Sequence, residues 1–388
     1  MTKVALIGPV HPYRGGIAHY TTGLDRSLRQ SGFDVLTVSF SRQYPRWLFP
    51  GASDKDASAA PLTVAEARFW IDSLNPFTWL TTFLRLRRFA PDRLILQWWT
   101  SYWTPVWLVI LWLNRLFLRS PVTFICHNVL PHDRPKSELR ITSLVLRHAD
   151  HCVVHSQDER ARITRILPDM PVSVAPMPLF DVFDRYRIPQ EEARRRLDLP
   201  QGSPILLFFG IVRPYKGLED LVRALPAIRS RLPDALLVVA GEFWEARQRY
   251  DDLSAELQVG DMIRIDDRYV PDEAAGLYFS AADLIVFPYR RATGSAALQA
   301  ANSFGLPAVA TEVARSQIAH AAGASIDWVP PGDPAQLASA VCAAYLRPRT
   351  SERSGREDQA GQTARDTDHG MSQSWRQLVA AVMDRPSP

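Results

Sequence analysis

The sequence predicts an α/β protein made of two doubly wound, Rossmann-like domains of parallel strands that face a cleft. The chain has 388 residues, a typical length for two domains of about 150 to 200 residues each. Short apolar runs alternate with helix-length segments from end to end, and this alternation is typical of parallel sheets flanked by helices. A polar, charged stretch, residues 181–201, interrupts the alternation near the middle of the chain.

The predicted strands form two series, one on each side of that interruption. In the first series they span residues 3–8, 34–39, 93–98, 122–127, 152–155 and 172–175. In the second series they span residues 205–209, 235–240, 262–266, 284–287, 308–310 and 325–329. In open parallel sheets, ligands bind beyond the carboxyl ends of the strands. We therefore expect functional residues in the loops that follow strands.

The same alternation gives the domain boundaries. We predict a first domain over residues 1–178, an interdomain linker over residues 179–202 and a second domain over residues 203–346. Residues 347–374 are rich in polar residues and glycine and have almost no large apolar side chain, which predicts a disordered linker. Residues 375–388 are predicted to form a last amphipathic helix, which docks back on the body, and a tail.

Charge is distributed unevenly along the chain. Residues 1–190 carry 23 Lys and Arg against 15 Asp and Glu, and the remaining residues carry 22 against 26. A basic first half and an acidic second half argue against one continuous nucleic-acid groove, and no nucleic-acid-binding signature accompanies the charge. The asymmetry favours a basic surface that meets an anionic membrane or an anionic substrate.

The cysteine and histidine pattern indicates neither disulfides nor a metal. Cys126, Cys152 and Cys342 are an odd number of cysteines without zinc-site or redox-pair spacing. No set of His, Asp and Glu has metal-ligand spacing, and residues 4–8 are too short an apolar run for a signal peptide. We therefore expect a cytoplasmic protein without a metal or other cofactor.

One segment is unusually aromatic. Eight of the eleven tryptophans fall between Trp47 and Trp112, and residues 94–114 carry no charge. Polar residues and Pro105 divide this stretch into a buried strand and an aromatic helix over residues 103–118. Three interpretations of the helix remain open: core packing, a helix lying on an anionic membrane surface with arginines at lipid phosphates, and a membrane span.

Two motifs follow strands of the first domain. Gly15 and Gly16 come after the first strand and open a helix, where backbone amides can approach an anion closely. His127 stands at the end of the fourth strand, where an imidazole can hold a hydroxyl group. A tight turn and a structural histidine are the alternative interpretations.

Two more motifs follow strands of the second domain. Arg213 and Lys216 lie in a glycine turn after the strand 205–209, and a guanidinium fork beside an ammonium suits a diphosphate. A solvated basic turn is the alternative. After the strand 284–287, Thr293 or Ser295 can cap the next helix, and Gly294 lets the backbone approach a negatively charged ligand.

In their order and spacing, these residues resemble the retaining glycosyltransferases of family 4, which have the GT-B fold. Two later segments extend the resemblance, the run Gly-Leu-Pro-Ala-Val-Ala-Thr at 305–311 and the turn Pro-Pro-Gly-Asp at 330–333. The resemblance covers residues 1–345. It implies transfer of a sugar from a nucleotide-diphosphate donor to an acceptor with retention at the anomeric carbon, usually without a metal. The donor would bind mainly to the second domain and the acceptor to the first.

The resemblance also implies roles for individual residues. Arg213 and Lys216 would neutralise the donor diphosphate, with Gly15 and Gly16 in the loop beneath it. His127 would lie near the donor sugar and the acceptor. The donor-binding set is completed by residues that would contact the nucleobase, the phosphates or the sugar, namely Tyr269, Val270, Arg291, Thr293, Gly294, Ser295 and Gln299.

The chain departs from the family pattern at two places. Family members usually have two glutamates separated by seven residues, and here those positions are Arg291 and Gln299. The Gly-Gly pair expected after Thr311 is replaced by Ala314 and Arg315. Gln299 can still bond hydroxyl groups through its amide, and Arg291 adds a positive charge.

The sequence thus predicts a hexosyltransferase that uses a nucleotide-sugar donor and a glycan or lipid-linked acceptor in polysaccharide or glycolipid biosynthesis. Peripheral contact with the cytoplasmic face of an anionic membrane is part of this prediction. Two alternatives stay open. The first is a catalytically inactive homologue that binds a nucleotide sugar or a partner enzyme, and the second is a sugar-nucleotide epimerase.

Overall fold

The computed structural model describes residues 1–129, 136–178, 181–291, 295–317, 325–347 and 372–384. It divides into two compact units. The first unit contains Met1–Ala57 and Pro61–Pro178 together with the C-terminal helix, and the second contains Ser58–Ala60 and the described residues from 181 to 347. Thr293, Gly294 and nearly all of the predicted linker 347–374 lie outside the described residues.

The first unit is built on a seven-stranded parallel sheet in the order β3-β2-β1-β4-β5-β6-β7. Its strands are Lys3–Ile7 (β1), Asp34–Arg42 (β2), Arg68–Asp72 (β3), Arg93–Trp98 (β4), Val122–Cys126 (β5), His151–Val154 (β6) and Val172–Val174 (β7). Its helices are Gly16–Gln30 (α1), Pro76–Phe89 (α2), Thr104–Leu113 (α3), Lys136–Leu146 (α4) and Gln157–Ile166 (α5), and the helix Gln373–Met383 near the C-terminus joins them.

The two faces of this sheet are covered by different helices. Val4 and Leu6 of β1 pack with apolar residues of α1 and of the C-terminal helix. Ala5 and Ile7, which alternate with them, pack in a larger cluster with α2, α3, α4 and α5. Both faces are apolar, as expected for a parallel sheet buried between layers of helices. The edge strand β3 was not among the predicted strands, and its first two residues are exposed.

The second unit contains a six-stranded parallel sheet in the order β10-β9-β8-β11-β12-β13. Its strands are Ile205–Phe209 (β8), Leu236–Ala240 (β9), Ile263–Asp266 (β10), Leu284–Phe287 (β11), Ala308–Thr311 (β12) and Ile326–Val329 (β13). Its helices are Gln190–Arg196 (α6), Leu218–Arg229 (α7), Gln248–Glu256 (α8), Asp272–Ala281 (α9), Ala296–Ser303 (α10) and Pro334–Leu346 (α11), so the C-terminal helix Gln373–Met383 is α12.

Helix starts follow the local sequence. Asn75, Ser156 and Asp333 each accept a hydrogen bond from a backbone amide in the first turn of the helix that they precede, as N-cap residues do. Pro76 and Pro334 occupy the first helical position, where a missing N–H costs nothing. The prediction of two doubly wound parallel-sheet domains is confirmed.

Residues 179–202 differ from the predicted linker, because the described part of this segment folds with the second unit. It contains a 3₁₀ turn, Asp181–Tyr186, and the helix α6. Arg194 of α6 is buried and lies 2.7 Å from the carboxylate of Asp283. The same guanidinium donates to the carbonyl of Ala281. The charge that suggested a linker is therefore used in a buried ion pair that fixes the segment to its unit.

The aromatic helix predicted over residues 103–118 is divided into three parts. A 3₁₀ turn, Ser101–Trp103, precedes α3, and a π-helical turn, Asn114–Leu118, follows it. Trp103 and Trp107 are completely buried, so core packing accounts for the first half of the segment. The turn ends where the side chain of Asn114 bonds the backbone of Ser120. No described helix has both the length and the apolar character needed to cross a membrane.

Candidate functional site

The strand order of the second sheet reverses between β8 and β11, which are neighbours in the sheet and distant in sequence. Such a switch point separates the loops that follow the two strands, and it is where open parallel sheets bind ligands. Lys216 follows β8, and Tyr289 and Ser295 follow β11. The sequence therefore brings two of its predicted motifs to one edge of the second unit.

Two glycines let these loops approach each other. Gly217 has φ 71°, and a Cβ there would lie 1.8 Å from the carbonyl oxygen of Pro288. Gly210 has φ 103°, and a Cβ there would lie 2.9 Å from the ammonium of Lys216. Any other residue at Gly217 would push the start of α7 away from the β11 loop, and at Gly210 it would displace the lysine.

Lys216 presents an unpaired positive charge. Its ammonium lies 5.7 Å from the centre of the Tyr289 ring and makes no ion pair with a described residue. The side chain is only partly exposed. Burial, with a smaller contribution from the charge of Arg213, lowers the pKa of Lys216 from 10.5 to about 8. A half-buried ammonium without a counter-charge favours an anionic ligand, because the ligand supplies the missing partner.

Arg213 is held by an aromatic face. Its guanidinium carbon lies 4.2 Å from the centre of the Trp244 ring, and the indole of Trp244 donates to the carboxylate of Glu242 at 2.8 Å. The loop after β9 also pairs with the loop after β8, since the amide of Val212 donates to the carbonyl of Glu242. The cation–π contact and this backbone pairing fix the direction of the guanidinium.

Tyr289 connects Lys216 with the start of α10. It is buried, and its hydroxyl lies 3.2 Å from the Oγ of Ser295. Ser295 caps α10 by accepting from the amide of Leu298 at 3.2 Å. One face of Tyr289 thus carries the ammonium of Lys216, and its hydroxyl contacts the residue at the positive end of a helix. Both features stabilise an anion.

A second ion pair holds the β8 and β11 loops together. The guanidinium of Arg290 donates to both carboxylate oxygens of Asp220, at 2.9 and 2.6 Å. Asp220 is buried in the first turn of α7, where a negative charge is favourable. The amide of Arg290 also donates to the carbonyl of Tyr215 at 2.7 Å. Arg290 therefore anchors the chain on both sides of Lys216, at Tyr215 before it and at Asp220 after it.

The other predicted donor-binding residues occupy separate positions in the second unit. Gln299 is buried in the first half of α10, and Arg291 is exposed after β11. Tyr269 is half-buried and Val270 is buried, both in the loop between β10 and α9. Thr293 and Gly294 cannot be placed, since they are not among the described residues.

In the first unit, the predicted glycines lie at the start of α1. Gly15 is the N-cap residue with φ 101°, and Gly16 is the first residue of the helix. No side chain caps this end, and a Cβ at Gly15 would meet nothing within 4 Å. The first amides of α1 are thus left without a side-chain acceptor, as is usual where a helix N-terminus receives an anion.

His127 belongs to a buried polar cluster in the first unit, which also contains Tyr20, Gln97 and His155. Its Nε2 lies 2.5 Å from the side-chain oxygen of Gln97, and the ring of Tyr20 meets it edge-on at 4.6 Å. Burial, and then the charge of His155, lowers the pKa of His127 well below its usual value. Burial also lowers the pKa of His155 to about 4. Both imidazoles are neutral near pH 7.

Some atoms of this cluster have no described partner. The hydroxyl of Tyr20, the amide nitrogen of Gln97 and the Nε2 of His155 are buried without a hydrogen bond to any described residue. Buried polar atoms normally find partners. A small polar molecule, such as an ordered water, would satisfy these groups.

Sequence reasoning missed Gln97, Trp244 and the pair of Arg290 with Asp220. Gln97 is the one uncharged polar residue of β4, next to its carboxyl end, and that position in an otherwise apolar strand was a usable signal. Trp244 follows β9 as a bulky aromatic residue in a loop. The contact between Arg290 and Asp220 joins residues 70 positions apart and had no local signal.

Two sequence families match the chain. Residues 203–346 match the family described as glycosyl transferases group 1, and residues 15–178 match the family described as glycosyl transferase 4-like domain. Together the two matches cover most of both units.

Among curated proteins, the D-inositol 3-phosphate glycosyltransferase of Streptosporangium roseum is 28% identical over 364 residues, which cover 86% of this chain and 81% of that protein. The protein of the same name from Corynebacterium efficiens is 28% identical over 269 residues, which cover 63% of this chain and 62% of that protein. The second match thus spans less than two thirds of the relative.

Among solved structures, the chain is similar to HepE of Anabaena, determined in complex with UDP and glucose. The TM-score is 0.67 at 14% identity, and the match covers 98% of each chain. At this identity the likeness bears on the fold alone, and it agrees with the GT-B architecture of two parallel-sheet units.

Proposed function

The chain belongs to the group 1 glycosyltransferases, and from this premise we propose that it moves a hexose-type sugar from a nucleotide-diphosphate donor to a glycan or lipid-linked acceptor. The transfer would retain the anomeric configuration and serve polysaccharide or glycolipid biosynthesis. The observation that carries the proposal is the unpaired ammonium of Lys216 at the switch point of the second sheet, beside the start of α10.

The donor diphosphate would bind on the second unit. Lys216 would supply a point charge, Arg213 a planar fork of donors held against Trp244, and α10 the amides of its first turn. Together these groups create a positive electrostatic potential at the place where the phosphates would bind. Gln299 would bond hydroxyl groups of the donor, and Tyr269 and Val270 would contact the base. The relatives are named glycosyltransferases, and the HepE structure contains UDP, which supports this class of donor.

The chemistry we propose is stabilisation of the leaving group. The bond from the anomeric carbon to the phosphate oxygen breaks, and the bond from that carbon to the acceptor oxygen forms. Negative charge grows on the diphosphate as this happens, so Arg213 and Lys216 bind the transition state better than the bound donor. The leaving phosphate oxygen takes the acceptor proton. We propose that no metal is needed, because these cations carry out the neutralisation.

The acceptor would bind on the first unit. Neutral His127, held by Gln97, would contact it there. Gly15 and Gly16, at the uncapped start of α1, remain assigned to the donor diphosphate. A neutral imidazole can accept a hydrogen bond from a sugar hydroxyl through Nδ1 without adding a positive charge to the acceptor site. We therefore assign His127 to holding hydroxyl groups and not to proton transfer.

One observation favours a second candidate function. Arg291 and Gln299 stand where the family usually has two glutamates, and neither is a carboxylate. A catalytically inactive homologue would keep the diphosphate site and lose the chemistry. A sugar-nucleotide epimerase is the remaining alternative, and it would yield an epimer and no glycoside. Measuring release of nucleotide diphosphate together with the sugar product separates the three functions.

We also propose that the protein works at the cytoplasmic face of an anionic membrane, as a peripheral protein. The excess of basic residues in the first half of the chain and the three cysteines, all without a disulfide, support this location. A lipid-linked acceptor would then be within reach of a protein that binds the surface.

The donor assignment is tested by thermal shift with UDP, GDP, ADP and their common hexose conjugates. A ligand that binds only the folded protein raises the melting temperature by mass action. We expect one nucleotide to give a shift that Lys216→Ala abolishes. The exposed Arg195 of α6 provides the control, and Arg195→Ala should keep the shift. No shift with any nucleotide would contradict the donor site.

A further inference from the structure

The first unit exposes a set of large apolar side chains on α2, on the last turn of α3 and on the π-helical turn that follows α3. We call it the α2–π surface and define it by six residues, Phe77, Leu80, Leu84, Trp112, Leu116 and Phe117. Phe77 is 77% exposed, Trp112 is 61% exposed and Phe117 is 55% exposed. Single exposed apolar residues are common, but a patch built from six of them marks an interaction site.

The six residues form one surface because their segments touch. Phe77, Leu80 and Leu84 repeat at helical spacing along one stripe of α2. The buried ring of Phe83 in α2 lies 6.3 Å from the ring of Phe117 in the π-helical turn. The guanidinium of Arg87 lies 5.7 Å from the same ring. Helix α2 and the turn Asn114–Leu118 therefore pack against each other, which brings their exposed apolar side chains to neighbouring parts of the surface.

Arginines border this surface. Five exposed arginines lie on α2 or within residues 114–119, namely Arg85, Arg87, Arg88, Arg115 and Arg119. None of them forms an ion pair with a described residue. Residues 73–91 and 93–129 contain no Asp or Glu. Basic residues therefore outnumber acidic ones along these segments, and the nearest acidic residues in the sequence are Asp72 and Asp92, beyond the two ends of α2.

We propose that the α2–π surface inserts into an anionic lipid bilayer. Aromatic and aliphatic side chains would enter the boundary between head groups and acyl chains, and the arginines would meet lipid phosphates. A second copy of the chain is a less favourable partner for this surface. A two-fold contact would bring the arginines of both copies together, and their positive charges would repel each other. The inference rests on the membrane part of the proposed function and assigns it to named residues.

The test is flotation with vesicles of phosphatidylcholine alone and of phosphatidylcholine with phosphatidylglycerol. We expect the full chain to float with the anionic vesicles, and more so at low salt. Phe77→Ser combined with Leu84→Ser should lower binding at least tenfold. Arg87→Gln combined with Arg88→Gln should weaken it by about fivefold for each arginine, the effect of about 1 kcal/mol per charge near the surface.

Matched controls use exposed residues elsewhere in the first unit. Trp47→Ser removes an aromatic side chain that is 81% exposed, and Arg160→Gln with Arg165→Gln removes two charges from α5. Both variants should float like the unmodified protein. The nucleotide thermal shift, recorded on every variant, should stay unchanged. A failure of the donor proposal is thereby distinguishable from a failure of this one.

Three results would overturn the proposal. The first is a protein that binds neither kind of vesicle. The second is binding that the paired Phe77 and Leu84 changes leave unaltered. The third is a dimer in light scattering that the same changes convert to a monomer, which would assign the α2–π surface to a second copy.

Discussion

The Nε2 of His127 lies 2.5 Å from the side-chain oxygen of Gln97, inside the first unit. Because the oxygen accepts, the imidazole proton is on Nε2, and the neutral ring leaves Nδ1 without one. Gln97 thereby fixes the tautomer of His127 and leaves Nδ1 as a hydrogen-bond acceptor. Gln97 is buried in β4, next to the carboxyl end of the strand, and we propose that it acts as a positioning residue for His127.

Replacing Gln97 should change turnover more than binding of the nucleotide. We expect Gln97→Leu to lower kcat about 10- to 100-fold, the usual effect of losing a partner that orients a functional histidine. The nucleotide thermal shift should remain. Gln97→Glu keeps an acceptor, so it should retain more activity and add an ionisation to the pH profile. Equal losses in both variants would argue against orientation as the role of Gln97.

Donor binding should weaken as the pH rises through about 8. Burial lowers the pKa of Lys216 to about 8, so the free protein loses this charge above that pH, and a diphosphate meets a neutral amine. Titration of nucleotide affinity between pH 7 and 9.5 measures the slope. Lys216→Ala should remove the slope and raise the barrier to transfer by about 2 to 4 kcal/mol.

The contribution of Lys216 to the free energy of unfolding should rise with pH, whereas its contribution to donor binding falls. Between pH 8 and 10.5 the unfolded chain binds this proton and the folded protein does not, so the contribution of Lys216 to the free energy of unfolding rises with pH in that window. Denaturant unfolding of the unmodified protein and of Lys216→Ala should show it. Parallel pH profiles in the two proteins would contradict the lowered pKa.

Trp244 should determine how well Arg213 binds phosphate. Removing the ring in Trp244→Leu loses a cation–π contact of about 0.5 to 2 kcal/mol, and nucleotide affinity should fall about 2- to 30-fold. Trp244→Phe keeps an aromatic face and loses only the bond to Glu242, so its effect should be smaller. Calorimetric titration with the nucleotide measures both. The reverse order would point to Glu242 as the main support.

The pair of Arg290 with Asp220 should stabilise the second unit. Arg290→Met leaves the buried carboxylate of Asp220 without its two donors. We expect a loss of about 1 to 3 kcal/mol in the free energy of unfolding, the range for hydrogen bonds to a charged group. A double-mutant cycle with Asp220→Asn should give a favourable coupling. A coupling near zero would show that the loops are held by other contacts.

The effect of Gly23→Ala on the free energy of unfolding should change sign when Trp375 is removed. A Cβ at Gly23 of α1 would lie 2.4 Å from the indole of Trp375 in α12. Gly23→Ala should therefore destabilise the protein, since the ring must move. In a Trp375→Ala background the same change should stabilise α1 by up to about 1 kcal/mol, the helix preference for Ala over Gly. Thermal unfolding of the four proteins tests this.

Sequence reasoning recovered the elements that have local signals. Apolar strands, the glycine turns at Gly15 and Gly217 and the cap at Ser295 are all defined by neighbouring residues, and all have their expected structures. The α6 segment was assigned to a linker because a polar, charged stretch interrupts the alternation of strands and helices there, whereas Arg194 pairs with Asp283 from a distant part of the chain. Contacts of this kind depend on tertiary packing and leave no local pattern.

The same limit applies to the candidate site. Lys216 was predicted from its turn, but its missing counter-charge and its contact with Tyr289 depend on how two loops meet. The aromatic helix shows the limit most clearly, because composition could not separate its buried face, with Trp103 and Trp107, from the exposed Trp112.

The helix α12 also bears on the order of events during protein synthesis. Leu378, Val379 and Val382 complete an apolar cluster with β1 and α1, and Arg93 donates to the carbonyls of Val382 and Asp384. The ribosome makes the second unit before it makes α12. All described residues of the second unit are therefore synthesised before the first unit is complete. Until α12 emerges, part of the apolar core of the first unit stays uncovered and open to chaperones.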